Sequence, residues 1–299
     1  MPQVQAWPEL DYAQWRATCD TLHMALQMAG KVRLALAPRL NHFWQATFYV
    51  TPRGLTTGSI PMPGGGVFAI QFDFVDHAVI INTSRNQRAQ VPLRPGLVAE
   101  FYQAFMAMLA NLGMSVHIWT MPVEFPDPIR FDVDQTHASY DPDAAQRWWQ
   151  SLVAIVPVFE RFRAGFVGKC SPVHLFFGSM DLACTRFSGR RAPERPGADP
   201  VTRESYSHEV MSVGYWPGDP AHPQASFYAY AAPSPPGFAT AAVRPAAAGY
   251  NLELGEYLLA YDEVRRNPDP EATLFEFCQS AYKAAADLGG WDRAALERS

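Results

Sequence analysis

Hydrophobic positions recur at helical spacing in several segments of the chain. Trp15, Leu22, Leu26 and Ala29 lie on one face, and Asp11 precedes them as a candidate N-cap, which predicts a helix over residues 11–29. Three more helices are predicted, over 95–112, over 141–166 and from residue 269 onward. The last two begin at Asp-Pro pairs, which supply an N-cap and a first helical residue.

Short runs of β-branched and aromatic residues predict strands between these helices. The clearest are residues 42–50, the alternating segment VFAIQFDFV with the following AVIINTS and QVPL, the segment SVHIWTMPVEF, and the chain after residue 173. Residues 189–204, GRRAPERPGADPVTRE, are too rich in proline and glycine for regular structure. We expect a long loop there, of the kind that often covers a site.

Three blocks of sequence recur in the same order in the two halves. Residues 41–57 match 173–189, so that His42 corresponds to His174, and residues 100–113 match 276–289. A Trp-containing helix leads into Gly-Lys in each half, at Lys31 and at Lys169. Such self-similarity indicates an internal duplication.

The fold prediction is therefore an α+β protein made of two tandem copies of a helix–antiparallel sheet–helix unit, related by a pseudo-twofold axis. The first copy covers residues 1–123, a connector covers 124–140, and the second copy covers 141–299. The second copy carries a long insertion at about 187–230, because the offset between matched blocks rises from 132 residues at His42 and His174 to 176 residues at positions 100 and 276.

Composition narrows the class of protein. The chain of 299 residues is 48% hydrophobic and 13% aromatic with a net charge of −5, which excludes disorder over most of its length. The absence of any run of Lys or Arg argues against a nucleic-acid surface. No apolar stretch is long enough for a membrane helix, and the N-terminus does not resemble a secretory signal, so we expect a cytoplasmic protein with no membrane partner.

Polar side chains concentrate in residues 168–216, among aromatic strand segments. Buried polar groups need hydrogen-bond partners, so such a set indicates either a structural network or a site. The leading hypothesis is an enzyme that acts on a small anionic organic molecule by His/carboxylate acid–base chemistry at the repeat interface. The catalytic candidates are His174, His208, Asp181 and Glu209. The candidates for binding the ligand are Lys31, Lys169, Arg186, Arg190, His42, Ser171 and Tyr206.

Two alternatives stay open. A metal-dependent enzyme would use His42, His174 and His208 with Asp181 or Glu209, because imidazole and carboxylate ligands suit zinc, iron or manganese. A non-catalytic protein would hold a small molecule in an aromatic cleft, with the polar cluster serving the fold. No motif specifies a metal site or a cofactor: the cysteine spacing matches no zinc pattern, and neither a dinucleotide-binding motif nor a phosphate-binding loop is present.

The segments GKCSPVHLFFGSMDLACTRFSGRRAP, SHEV and NHFW resemble those of an uncharacterised bacterial family of cytoplasmic proteins of about 300 residues. The resemblance extends over nearly the whole chain. It includes the segments around His23, His42, His174 and the Ser207-His208-Glu209 triplet. It implies a shared architecture and raises interest in these positions. It carries over no catalytic residue, since the family has no established activity.

Overall fold

The computed structural model describes residues 7–298 and shows an α+β protein, as predicted. Its described helices are α1 (Tyr12–Leu36), α2 (Val98–Asn111), α3 (Pro142–Ala164), α4 (Pro200–Ser205), α5 (Tyr261–Arg265), α6 (Pro270–Leu288) and α7 (Arg293–Leu296). The strands of the first half are β1 (Thr47–Thr51), β2 (Gly54–Thr56), β3 (Ile60–Pro61), β4 (Val67–Asp73), β5 (Ala78–Thr83) and β6 (Arg88–Pro92). Those of the second half are β7 (His174–Phe176), β8 (Asp181–Arg191), β9 (His208–Trp216), β10 (Ser226–Ala232), β11 (Gly249–Asn251) and β12 (Glu256–Ala260).

All these strands join in one antiparallel sheet with the order β11-β12-β10-β9-β8-β7-β1-β2-β4-β5-β6, and β3 pairs with β4. The two halves of the chain meet at the β1–β7 pair, where Thr47 lies opposite Phe176 and Phe48 opposite Leu175. Phe48 and Leu175 are both fully buried. The sheet therefore continues without a break across the middle of the chain.

The two faces of the second half of the sheet differ in character. Helices α3 and α6 pack against strands β8, β9 and β10, over an apolar face that includes Leu182, Val213 and Phe227. Residues of the opposite parity, such as Asp181, Ser212 and Tyr228, point to the other face. That other face carries the polar side chains and forms the floor of a cavity.

Helix starts follow the sequence signals closely. The side chains of Asp11, Asp141 and Asp269 cap α1, α3 and α6. Helix α1 continues beyond the predicted end at residue 29 and stops at Leu36. Ala37 is extended because the following residue is Pro38, and a residue before proline is biased away from helical backbone.

Three segment predictions are wrong in detail. The predicted strand 42–50 begins only at Thr47, since Asn41–Phe43 forms a 3-10 turn with left-handed backbone at His42. Segment 115–125 is irregular and not a strand. The predicted loop 189–204 contains the end of β8 and most of α4, whose N-cap is Asp199.

The predicted insertion at 187–230 holds β9 and part of β10, which lie well inside the sheet. The division into repeats and a connector stays a prediction. No helix within residues 7–298 has the length and apolar character needed to cross a membrane.

Candidate functional site

A cavity of about 770 Å³ lies over the polar face of β8, β9 and β10. Segment 117–124 and the chain around α4 form its side walls. Aromatic side chains make up much of its surface: Phe43, Trp44, Trp119, Phe176, Phe177, Phe187, Tyr206, Tyr228 and Tyr230. Its polar lining is Lys31, His42, His117, Glu124, Ser179, Asp181, Thr185, Asp199, Thr202, Ser205 and Ser212. An apolar cavity with a few convergent polar groups is the usual form of a small-molecule site.

Asp181 is held in the cavity wall by two hydroxyl groups. The Ser179 hydroxyl donates to Oδ1 and the Tyr228 hydroxyl donates to Oδ2, each at 2.5 Å. Burial raises the pKa of Asp181, and the two hydrogen bonds offset part of that rise. The carboxyl group therefore has a fixed orientation and a pKa closer to neutrality than that of an ordinary Asp.

The charge of Asp181 acts on two further carboxyl groups, those of Glu124 and Glu256. Glu124 lies at the edge shared with a second cavity of about 230 Å³, and its backbone is left-handed with φ 50°. Burial and the charge of Asp181 raise the pKa of Glu124, and the same two causes raise that of Glu256 to about 7. Like charges that lie close together disfavour each other's ionisation, so the raised pKa values of Glu124 and Glu256 follow from burial together with the charge of Asp181.

Side chains of α1 hold the wall that carries Glu124. His23, Gln27 and Lys31 are spaced four residues apart and lie on one face of the helix. Gln27 accepts from the Val123 amide at 2.8 Å and donates to the Val123 carbonyl at 2.7 Å. These bonds replace the strand pairing that segment 115–125 lacks, because buried backbone groups must find partners.

Lys31 anchors the same segment from the next turn of α1. Its ammonium group donates to the carbonyls of Trp119, at 3.0 Å, and Met121. It also lies over the rings of Trp119 and Phe131. Burial lowers the pKa of Lys31 to about 8. Carbonyl oxygens and aromatic faces thus occupy this cation, which has no carboxylate within ion-pair distance among the described residues.

His42 and Lys169 fix the wall on the side of α4. The Lys169 ammonium donates to His42 Nε2 at 2.5 Å, so the His42 proton lies on Nδ1. That Nδ1–H group donates to the carbonyls of Glu204 and Ser205, both at 3.1 Å. Burial, and then the charge of Lys169, lower the pKa of His42. His42 is therefore a neutral link between the 41–43 turn and the end of α4.

Four of the predicted site residues line the large cavity: Asp181, Lys31, His42 and Tyr206. The Tyr206 hydroxyl donates to that of Tyr230 at 3.2 Å across the cavity wall. Lys169 and His208 lie just behind this wall, since the His208 ring is 5.7 Å from that of His42. The structure thus places about half of the predicted catalytic and ligand-binding residues in or directly behind the cavity wall.

His174 is fully buried behind the cavity. The Trp44 ring lies 6.1 Å away and separates it from the His42 side of the wall. Neither ring nitrogen has a hydrogen-bond partner among residues 7–298. Burial, with the nearby charges of Arg33 and Arg163, lowers the pKa of His174 to about 3, so its imidazole is neutral.

The remaining predicted residues lie away from the cavity. Arg186 stacks on Phe162 and Tyr282 between α3 and α6. Ser171 accepts from the Thr185 amide and donates to a neighbouring carbonyl. Arg190 and Glu209 pair at 2.6 Å, and Arg190 also donates to carbonyls at the end of α6. Their contacts connect strands and helices.

The histidines and carboxylates named for a metal site do not converge. Among residues 7–298 no group of three or more His, Cys, Asp or Glu side chains is arranged to hold a metal ion. His42 already uses both ring nitrogens.

Glu124, Tyr228 and Gln27 were not predicted as site residues, and Ser179 belonged to the polar segment 168–216 without an assigned role. Tyr228 belongs to β10, in a segment predicted as an insertion, and Glu124 opened the predicted connector. One signal was present for the wall near α4: Asp199-Pro200 repeats the Asp-Pro pattern that marks α3 and α6.

Comparison with other proteins gives a family and no activity. No curated protein and no solved structure matches the chain. The sequence model of one family matches residues 7–298, which agrees with the predicted membership of an uncharacterised family of about 300 residues. The chain belongs to DUF5996, a family of unknown function.

Proposed function

We propose that the large cavity binds a small organic molecule and that Asp181 exchanges a proton with it as a general acid or base. The observation that carries the proposal is the position of Asp181: its carboxyl group lines an aromatic cavity, oriented by Ser179 and Tyr228. A carboxyl group with a raised pKa is suited to proton transfer near neutral pH.

The neighbouring groups support a catalytic role for this carboxyl group. Glu124 lies close enough for its charge to interact with that of Asp181, so one can hold a proton while the other is ionised. Glu124 also borders the second cavity, so its carboxyl group lies between the two cavities. The proposal keeps Asp181 from the sequence prediction and adds Glu124 in place of His174, His208 and Glu209.

The experiment is a search for turnover in a mixture of small metabolites. Purified protein is incubated with a cell extract depleted of macromolecules, and mass spectrometry follows which compounds disappear. The variants are Asp181→Asn and, as a matched control, Glu253→Gln in an exposed hairpin turn. We expect the wild type and the control to consume the same compound, and Asp181→Asn to slow this by about 10²–10⁴-fold.

The outcome separates catalysis from binding alone. Equal turnover by Asp181→Asn would contradict the acid–base role. A compound that is retained by the protein but never altered would favour the non-catalytic alternative.

We also infer that the two halves are copies of one unit. Outward from the β1–β7 pair, the strand order is β1-β2-β4-β5-β6 on one side and β7-β8-β9-β10-β12 on the other. A helix precedes and another follows each series, α1 and α2 in the first half and α3 and α6 in the second. In this arrangement the additional elements of the second copy are α4, β11, α5 and α7, and the cavity draws on both copies.

A further inference from the structure

The charged groups of the cavity wall differ in the hydrogen-bond and ion-pair partners that the protein gives them. Lys31 and His42 donate hydrogen bonds to backbone carbonyls. Asp199 caps α4 by accepting hydrogen bonds from the amides of Val201 and Thr202. Asp181 receives only hydroxyl donors. No Lys, Arg or His in residues 7–298 forms an ion pair with Asp181, Glu124 or Glu256.

Carboxylates inside a protein are normally paired with a cation, because removal from water is otherwise costly. Here the basic groups expected at the site lie elsewhere: Arg186 is stacked between helices, and Arg190 pairs with Glu209. Among the residues that the structure describes, Asp181 and Glu124 therefore line the cavity without an ion-pair partner, while the ammonium of Lys31, which also lines it, is occupied by carbonyl oxygens.

The aromatic walls match this charge. The rings of Tyr228 and Tyr230 stack at 6.0 Å beside Asp181. Trp119 is 66% exposed at the cavity edge. Faces of Tyr and Trp rings attract ammonium groups through the ring quadrupole, and they also cover an apolar body.

We propose that the molecule bound in the large cavity is an organic amine in its ammonium form, with the nitrogen at Asp181 and Glu124 and the apolar body against the aromatic walls. This inference rests on the proposed function and specifies its substrate class. It replaces the anionic substrate expected from the sequence, since Lys169, Arg186 and Arg190 do not line the cavity, and Lys31, which does, donates to carbonyl oxygens.

The test uses three probes that share one aryl body: tyramine, tyrosol and 4-hydroxyphenylacetate, which carry an ammonium, a hydroxyl and a carboxylate group. Dissociation constants are measured near pH 7 by ligand-observed NMR and titration calorimetry. We expect tyramine to bind at least about 10-fold more tightly than tyrosol, and the carboxylate to bind most weakly.

The preference for the amine should depend on the two carboxyl groups. Asp181→Asn and Glu124→Gln should each reduce the tyramine-to-tyrosol ratio severalfold, while Glu253→Gln leaves it unchanged. Glu124 lies outside the helices and strands, at the edge of the cavity, so its variant provides a test even if Asp181→Asn destabilises the protein.

Each other outcome is informative. Equal binding of all three probes, weakened by Asp181→Asn, would overturn the amine inference and leave the proposed cavity site standing. Tighter binding of the carboxylate, or an amine preference that survives both substitutions, would also overturn it. Failure of all three probes to bind at millimolar concentration would count against both the inference and the proposed site.

Discussion

The orientation of Asp181 depends on a residue that has no side chain. Gly214 lies directly opposite Tyr228 in the β9–β10 pair, and the Tyr228 ring occupies the space above it. A Cβ atom at Gly214 would lie 2.1 Å from Tyr228 Cζ and 2.2 Å from the hydroxyl oxygen. Because Gly214 has no side chain, the Tyr228 ring can cross this position and its hydroxyl group can reach Asp181.

We predict that Gly214→Ala displaces Tyr228 and breaks its bond to Asp181. The overlap should lower the free energy of unfolding by about 1–3 kcal/mol, as expected for overpacking in a closed site. Denaturant unfolding measures the loss, and the binding of a cavity ligand should weaken in parallel. Gly249→Ala on β11 is the matched control, because nothing lies within 4 Å of its Cβ position. Equal effects of the two substitutions would refute this role of Gly214.

Residue chemistry alone predicted part of the site. Asp181 was identifiable because a carboxylate in an aromatic strand segment needs a partner. Its partner Tyr228 is 47 positions away, and only the sheet register brings them together. Arg186 was assigned to the ligand for its charge, but strand alternation places it on the helix-covered face.

At the scale of elements, local signals were reliable where the local chain decides the structure. The Asp-Pro pairs fixed the starts of α3 and α6. Segment 115–125 has the composition of a strand, but its backbone groups bond to Gln27 and Lys31 instead of a neighbouring strand. That outcome depends on where α1 lies, which the segment itself does not encode.

We predict that Gln27→Ala loosens the wall formed by this segment. The substitution removes both bonds to Val123 and leaves two backbone groups without partners, which should cost about 1–3 kcal/mol of stability. Hydrogen exchange at the Val123 amide should accelerate along with it. Gln14→Ala, on the same helix, removes only an exposed bond to Asp11 and should change stability by less than about 0.5 kcal/mol. Unchanged exchange at Val123 would contradict this assignment.

At the scale of the whole molecule, the sheet and the core run through both halves of the chain. Phe48 of β1 and Leu175 of β7 face each other at the join and belong to one buried apolar cluster. The recurrence of sequence blocks indicated two similar halves, but it could not show that they pair edge to edge in a single sheet.

We predict that the protein unfolds in one cooperative transition, because neither half can lose its structure without exposing the β1–β7 join. Calorimetric and van't Hoff enthalpies should therefore agree. Phe48→Ala should lower the free energy of unfolding of the whole protein by about 3–5 kcal/mol. Leu252→Ala, at a side chain that is 87% exposed, should leave the free energy of unfolding nearly unchanged. Two separate transitions, in the wild type or in Phe48→Ala, would contradict a shared core.

Both side walls of the cavity are fastened through main-chain carbonyls. Lys31 donates to the carbonyls of Trp119 and Met121. His42 donates to those of Glu204 and Ser205. These hydrogen bonds are made to main-chain atoms, so they do not require a particular side chain at the position they hold. Substitution of the Met121 or Ser205 side chain should therefore change the surface of a wall while the hydrogen bonds that hold its backbone stay in place.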